Sequence, residues 1–137
     1  MEAVIQSFVS GVPFLMLHFF TTLVILVAGS ALYILITPMD EMALIRDGNQ
    51  AAAVSLGGAI IGLAIPLAVT MAGSVNVFDI ALYGSVALFL QLGCFFGVNV
   101  VLKDLPQRIE DGEMSASIFL TFTKLATACI TAAAFST

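Results

Sequence analysis

Residues 48–78 read GNQAAAVSLGGAIIGLAIPLAVTMAGSVNVF, with no charged side chain between Asp47 and Asp79. A helix rises 1.5 Å per residue and a bilayer core is about 30 Å thick, so about 20 apolar residues cross it once. This run is long enough for one crossing. Working outward, the same pattern recurs. Residues 3–39 are uncharged unless His18 is protonated, residues 80–102 are uncharged, and beyond Glu113 the only charge is Lys124. The sequence therefore predicts an all-α integral membrane protein with four spans, at about 15–36, 51–74, 80–101 and 116–136.

Composition agrees. Of 137 residues, 61% are hydrophobic, 4 are basic and 9 acidic, whereas soluble domains are about 45–50% apolar and about 25% charged. A soluble chain of this size has too much surface for its volume to hide so many apolar side chains. A soluble enzyme is excluded, and so is a nucleic-acid partner, which needs a basic face. The lipid bilayer is the expected surrounding. Arg46 lies in the 37–50 connection and Lys103 and Arg108 in the 102–115 connection, while the N-terminal tail, the 75–79 turn and the C-terminus have no basic residue. The bias of basic residues toward the cytoplasm places both longer loops there and both termini outside, in the periplasm of a bacterial inner membrane.

A shift of 64 residues overlays the chain on itself without a gap: Phe14 on Phe78, Gly29 on Gly93, Asp40 on Asp104, Ile45 on Ile109, Asp47-Gly48 on Asp111-Gly112, Ala52 on Ala116. Each unit holds two spans, so the units, residues 1–73 and 74–137, form a parallel repeat about an axis along the membrane normal. In the first loop Thr37 is placed to cap a short helix, with Pro38 at its first position and Asp40 at its third. Gly48 can then take the left-handed conformation that ends it. Asp104, Asp111 and Gly112, with Pro106, offer the second copy.

Helices in lipid associate by close packing through small residues. Gly58 and Gly62 form a Gly-x-x-x-Gly pair in the second span and Gly93 and Gly97 another in the third. Such faces suit packing within a chain and between copies in a homo-oligomer. Pro66 interrupts the second span and frees a carbonyl for a neighbouring hydroxyl or water. Lys124 stands about 13 Å into the fourth span, sharing a face with Thr121, Thr127 and Thr131, and no acidic residue is expected at mid-membrane beside it. The stripe suits the wall of a pore or wet cavity; equally, the ammonium can reach back to headgroups. Gln91 and Asn99 are expected to donate hydrogen bonds between helices, and His18 to lie at an interface. Cys94 and Cys129 lack metal-ligand spacing and read as small apolar fillers. No catalytic set, metal site or cofactor motif emerges, so no enzyme is expected.

The stretches Ile36-Thr37-Pro38-Met39-Asp40-Glu41 and Leu44-Ile45-Arg46-Asp47-Gly48-Asn49-Gln50-Ala51-Ala52-Ala53, with Gly62-x-x-Ile65-Pro66-Leu67, resemble the YjfL-like family, also classed as domain of unknown function 350. The resemblance covers most of the chain. It implies a small bacterial inner-membrane protein with four spans, and it implies no activity. Two functions fit the residues. One is a homo-oligomeric conduit for an ion or small solute. The other is a scaffold that docks a cytoplasmic protein through the acidic loop residues Asp40, Glu41, Asp47, Asp104, Glu110, Asp111 and Glu113.

Overall fold

A computed structural model describes residues 1–73 and 76–136. Residues 74, 75 and 137, which carry the expected end of the second span, the start of the outer turn and the last position of the second unit, lie outside the described residues. The chain folds as six helices: α1 (Glu2–Ile36), α2 (Glu41–Arg46), α3 (Gln50–Gly73), α4 (Val77–Leu102), α5 (Leu105–Glu110) and α6 (Met114–Phe135). Four of them, α1, α3, α4 and α6, are long and apolar enough to cross a bilayer. There is no strand among the described residues.

The long helices are apolar on every side, which fits a lipid surrounding rather than a face-and-core arrangement in water. α3 is the centre and packs against α1, α2, α4, α5 and α6. Half of its apolar window is buried, against 6% of that of α1. The glycines and alanines of α3 make this crowding feasible, because small side chains let five neighbours approach one backbone. α1 begins at Glu2 rather than near residue 15, as one helix of 35 residues, about 52 Å long. The helix runs through Gly11 and Pro13, although Pro13 has no N–H to give, and it is longer than a bilayer core is thick.

The two short helices sit at one end of the bundle and share a backbone pattern. In the first linker Leu44 N donates to Asp40 O, Asp47 N to Ala43 O, Gly48 N to Ile45 O and Asn49 N to Leu44 O. In the second, Arg108 N donates to Asp104 O, Asp111 N to Gln107 O, Gly112 N to Ile109 O and Glu113 N to Arg108 O. Gly48 (φ 89°) and Gly112 (φ 80°) both adopt the left-handed conformation that closes each helix. The expected cap at Thr37 is corrected. Thr37 is extended, at φ −70° and ψ 144°, as a cap could be, but its hydroxyl lies against Tyr33 O and Glu41 Oε1 and meets no N–H ahead of it. Thr37 instead ends α1, its N–H donating to Tyr33 O. Asp40 is the N-cap of α2, its carboxylate accepting from Ala43 N at 3.2 Å.

Candidate functional site

α6 is stitched to α3 by side chains that donate to main-chain carbonyls. Ser117 Oγ reaches Ala51 O, Thr121 Oγ1 reaches Val54 O at 3.0 Å, and Lys124 Nζ reaches Ser55 O at 3.2 Å. Donors spaced four and three residues apart share one face of α6. Their acceptors are already engaged within α3, and a carbonyl has a second lone pair to offer. Gly58 admits this contact: a Cβ there would stand 2.7 Å from Thr121 Cγ2.

One turn deeper, Gly62 plays two parts. A Cβ at Gly62 would stand 2.8 Å from the amide of Gln91, so the glycine seats that side chain. Pro66 lies four residues on and has no N–H to give to Gly62 O. Gln91 Nε2 approaches this freed carbonyl at 3.4 Å and donates to Lys124 O at 3.1 Å. One buried amide from α4 thus ties α3 to α6 where the helix ladder is broken. The expected partner of the freed carbonyl was a hydroxyl or water; the amide takes that place.

The Lys124 side chain is fully buried. Its ammonium lies 4.5 Å from the centroid of the Tyr33 ring and 6.0 Å from that of Phe95, a cation–π arrangement that favours a desolvated cation. Both rings are fully buried and meet edge to face at 6.3 Å. The lysine also interacts electrostatically with Glu41, the first residue of α2, which is 0% exposed. This corrects the expectation that no acid accompanies Lys124 and that Glu41 belongs to an acidic outer surface. The turn at Met39 and Asp40 folds α2 back over the bundle, and Thr37, Met39 and Glu41 are all buried by it. Among the described residues the two charges are not in direct ion-pair contact.

Glu41 Oε1 accepts from Thr37 Oγ1 at 3.1 Å, and the same hydroxyl lies 2.9 Å from Tyr33 O. A hydroxyl carries one proton, so Thr37 serves one acceptor at a time. Burial pushes the Glu41 carboxyl above the ordinary carboxylate range, outweighing the opposite pull of Lys124 and of the Thr37 hydrogen bond. Four further polar atoms of this region have no protein partner among the described residues: Tyr33 OH, Glu41 Oε2, Ser55 Oγ and Gln91 Oε1. Orphaned buried polar atoms are costly and rare.

The other expected positions distribute as follows. Thr121 joins Lys124 on the α3 contact. Thr127 and Thr131 donate to carbonyls of their own helix, at Thr123 O and Thr127 O, and Thr127 also meets the Cys94 thiol of α4. Gly93 and Gly97 are exposed, and among the described residues no atom lies within 4 Å of a would-be Cβ at either. Asn99 accepts rather than donates, from Leu105 N at 2.9 Å, and so starts α5. His18 is buried, with its ring on Phe14 at 4.1 Å. Asp40, Asp47, Asp104, Glu110 and Asp111 are exposed; Glu113 is half-buried and pairs with Arg108. The residues not anticipated are Glu41, Tyr33, Ser55 and Asn49, whose amide donates to Ile109 O and Glu110 O and joins the two linkers.

A bundle of four apolar helices with an acid and a base sealed into it defines a polytopic membrane protein with an internal ionisable site. The chain belongs to the family described as Domain of Unknown Function (DUF350), whose profile matches residues 7–135. It is 30% identical over 109 residues to UPF0719 inner membrane protein YjfL of Escherichia coli (strain K12), an alignment that covers 80% of this chain and 83% of that protein. The protein of the same description from Escherichia coli O157:H7 matches equally. No solved structure matches.

Proposed function

We propose that the protein is a conduit for an ion or small solute in the bacterial inner membrane, working as a homo-oligomer with both termini in the periplasm, and that it is not an enzyme. The observation that carries this reading is the buried Glu41–Lys124 pair. An ionisable side chain inside a span is expensive and in general marks an ion, proton or substrate path. Here Lys124 is the one inside a span, and Glu41 of the adjoining linker helix is buried with it, beside hydroxyl and amide groups that can rearrange. The inner-membrane location is supported by the printed description of the similar proteins, and the orientation by the basic residues Arg46, Lys103 and Arg108 in the linkers. The docking alternative is weaker because its acidic surface lacks Glu41.

The test is flux in proteoliposomes containing the purified full chain, with protons, potassium, chloride and neutral solutes offered in turn. Wild-type protein is expected to carry at least one of them, and Lys124→Ala to abolish the flux. No transport of any species by a verified oligomer overturns the proposal.

A further inference from the structure

Resting on that reading, we propose that the species handled at the Glu41–Lys124 site is the proton. Three observations on the molecule select it. First, the site has one acid and one base, so a desolvated metal cation or anion would meet one attractive and one repulsive group. A proton needs a single lone pair. Among the described residues no cluster of three or more His, Cys, Asp or Glu offers a cation cage. Second, three unpartnered buried atoms of this region are of the type that relays protons, the hydroxyls of Tyr33 and Ser55 and the free Oε2 of Glu41, and the Gln91 carbonyl oxygen beside them can accept from a water. Each hydroxyl can donate and accept at once, and each such atom offers a bond to water, the co-reactant that links them. Third, Thr37 Oγ1 lies within reach of both Glu41 Oε1 and Tyr33 O, so the last turn of α1 responds to the state of the carboxyl.

The step balances as an acid–base exchange. The O–H bond of the Glu41 acid breaks, its proton passes along water and hydroxyl groups, and an N–H bond forms at the Lys124 amine. The products are a carboxylate and an ammonium. Glu41 then takes a proton from the α2 side, and Lys124 releases one to water on the opposite side. The groups that face Glu41 are few. α1 supplies Tyr33, α6 supplies Lys124, and α4 supplies Cys94 near the lysine. α3, the helix α2 packs on, has no charged residue.

The experiment uses the full chain in proteoliposomes enclosing a pH-sensitive dye, with membrane potential clamped by potassium and valinomycin. Wild-type protein is expected to dissipate a pH gradient. Glu41→Gln should cut that rate at least tenfold, while Glu41→Asp keeps part of it. Lys124→Arg is the sharper variant, since it preserves the cation but cannot give up a proton; it should also lose at least tenfold. Wild-type rates in Lys124→Arg would overturn the relay. Potassium or chloride flux that is indifferent to Glu41→Gln and moves no protons would overturn the proton assignment and leave the conduit standing. No flux of any species would remove both. Should either variant misfold, infrared spectroscopy of the wild type alone decides: a protonated-carboxyl band that persists well above the pH where ordinary glutamates ionise supports the site, and its absence overturns it.

Discussion

Glu41 occupies the position that Leu105 fills 64 residues later, each the first residue of a short helix and each fully buried. A leucine there requires only packing; a carboxylate requires partners, and Lys124 is the cation available. Removing one member of a buried pair leaves the other uncompensated, which costs about 3–5 kcal/mol. Lys124→Met is therefore expected to lower unfolding stability in detergent by about 3 kcal/mol. Adding Glu41→Gln should restore part of it, so the double variant loses less than the two single losses combined; simple additivity would show that the two do not interact. The raised pKa of Glu41 gives a second expectation. A carboxyl whose folded pKa lies above its unfolded value contributes stability that is complete below the ordinary glutamate range, near about 4.3. That contribution is lost as pH rises through the folded value. The midpoint of thermal unfolding of wild type, measured relative to Glu41→Gln, should fall as pH is raised from about 4 toward neutrality; a flat difference would show that Glu41 does not titrate there. Lys124 was legible in the sequence because a lone charge in an apolar run needs explaining. Glu41 was not, because it stands beside Asp40 in a linker that looks solvated. The overlay of Glu41 on Leu105 carried a signal, but it becomes readable only when the burial of Leu105 is known.

At the scale of the helix, the spans were legible because absence of charge over 20 or more residues has one physical meaning in a chain this apolar. Their ends were less so: α1 runs from Glu2 and outlasts the bilayer core, so the extent of the helix and the extent of the span are different quantities. The Asp-Gly elbows were readable, because a left-handed turn favours glycine, while the cap was not, because Thr37 and Asp40 are both good capping residues and only the fold shows the Thr37 hydroxyl turned back to Tyr33 O and Asp40 accepting from Ala43 N. Glycines separate into two kinds that composition does not distinguish. Gly58 faces Thr121, a short side chain whose Cβ would stand 3.1 Å from an added methyl and which cannot swing aside without losing its bond to Val54 O. Gly58→Ala should lower the unfolding stability by about 1–3 kcal/mol. Gly93→Ala meets no atom within 4 Å and gains helix propensity, so it should be neutral or stabilising by up to about 1 kcal/mol. Equal losses at both would contradict the assigned packing. Gly48→Ala has free space as well, but its φ of 89° should cost about 1 kcal/mol through backbone strain alone.

At the scale of the whole molecule, the bundle leaves much unfinished surface. α1 exposes Phe8, Phe14, Phe19, Phe20 and most of its other large apolar side chains, while Gly93 and Gly97 lie on an open face of α4 beside exposed Phe89, Phe96 and Val100. Lipid covers large apolar side chains readily, because acyl chains are as apolar as they are. A glycine notch is different: lipid fills it poorly, whereas a second helix can bring its backbone into it and gain dispersion contacts along several turns. Both Gly58 and Gly62 show what such notches do within this chain, each seating a side chain from a neighbouring helix. Among the described residues the notch on α4 has no occupant, so under the homo-oligomer proposed above it is the face expected to receive a second copy. Gly93→Leu with Gly97→Leu should therefore leave the unfolding midpoint of the monomer nearly unchanged, since neither position packs inside the chain. The same pair should lower the fraction of oligomer measured by sedimentation in mild detergent. A loss of monomer stability without a change in association would assign these glycines to the fold of one chain, and unchanged sedimentation would place any contact between copies elsewhere, with the long exposed flank of α1 the remaining surface large enough to provide it.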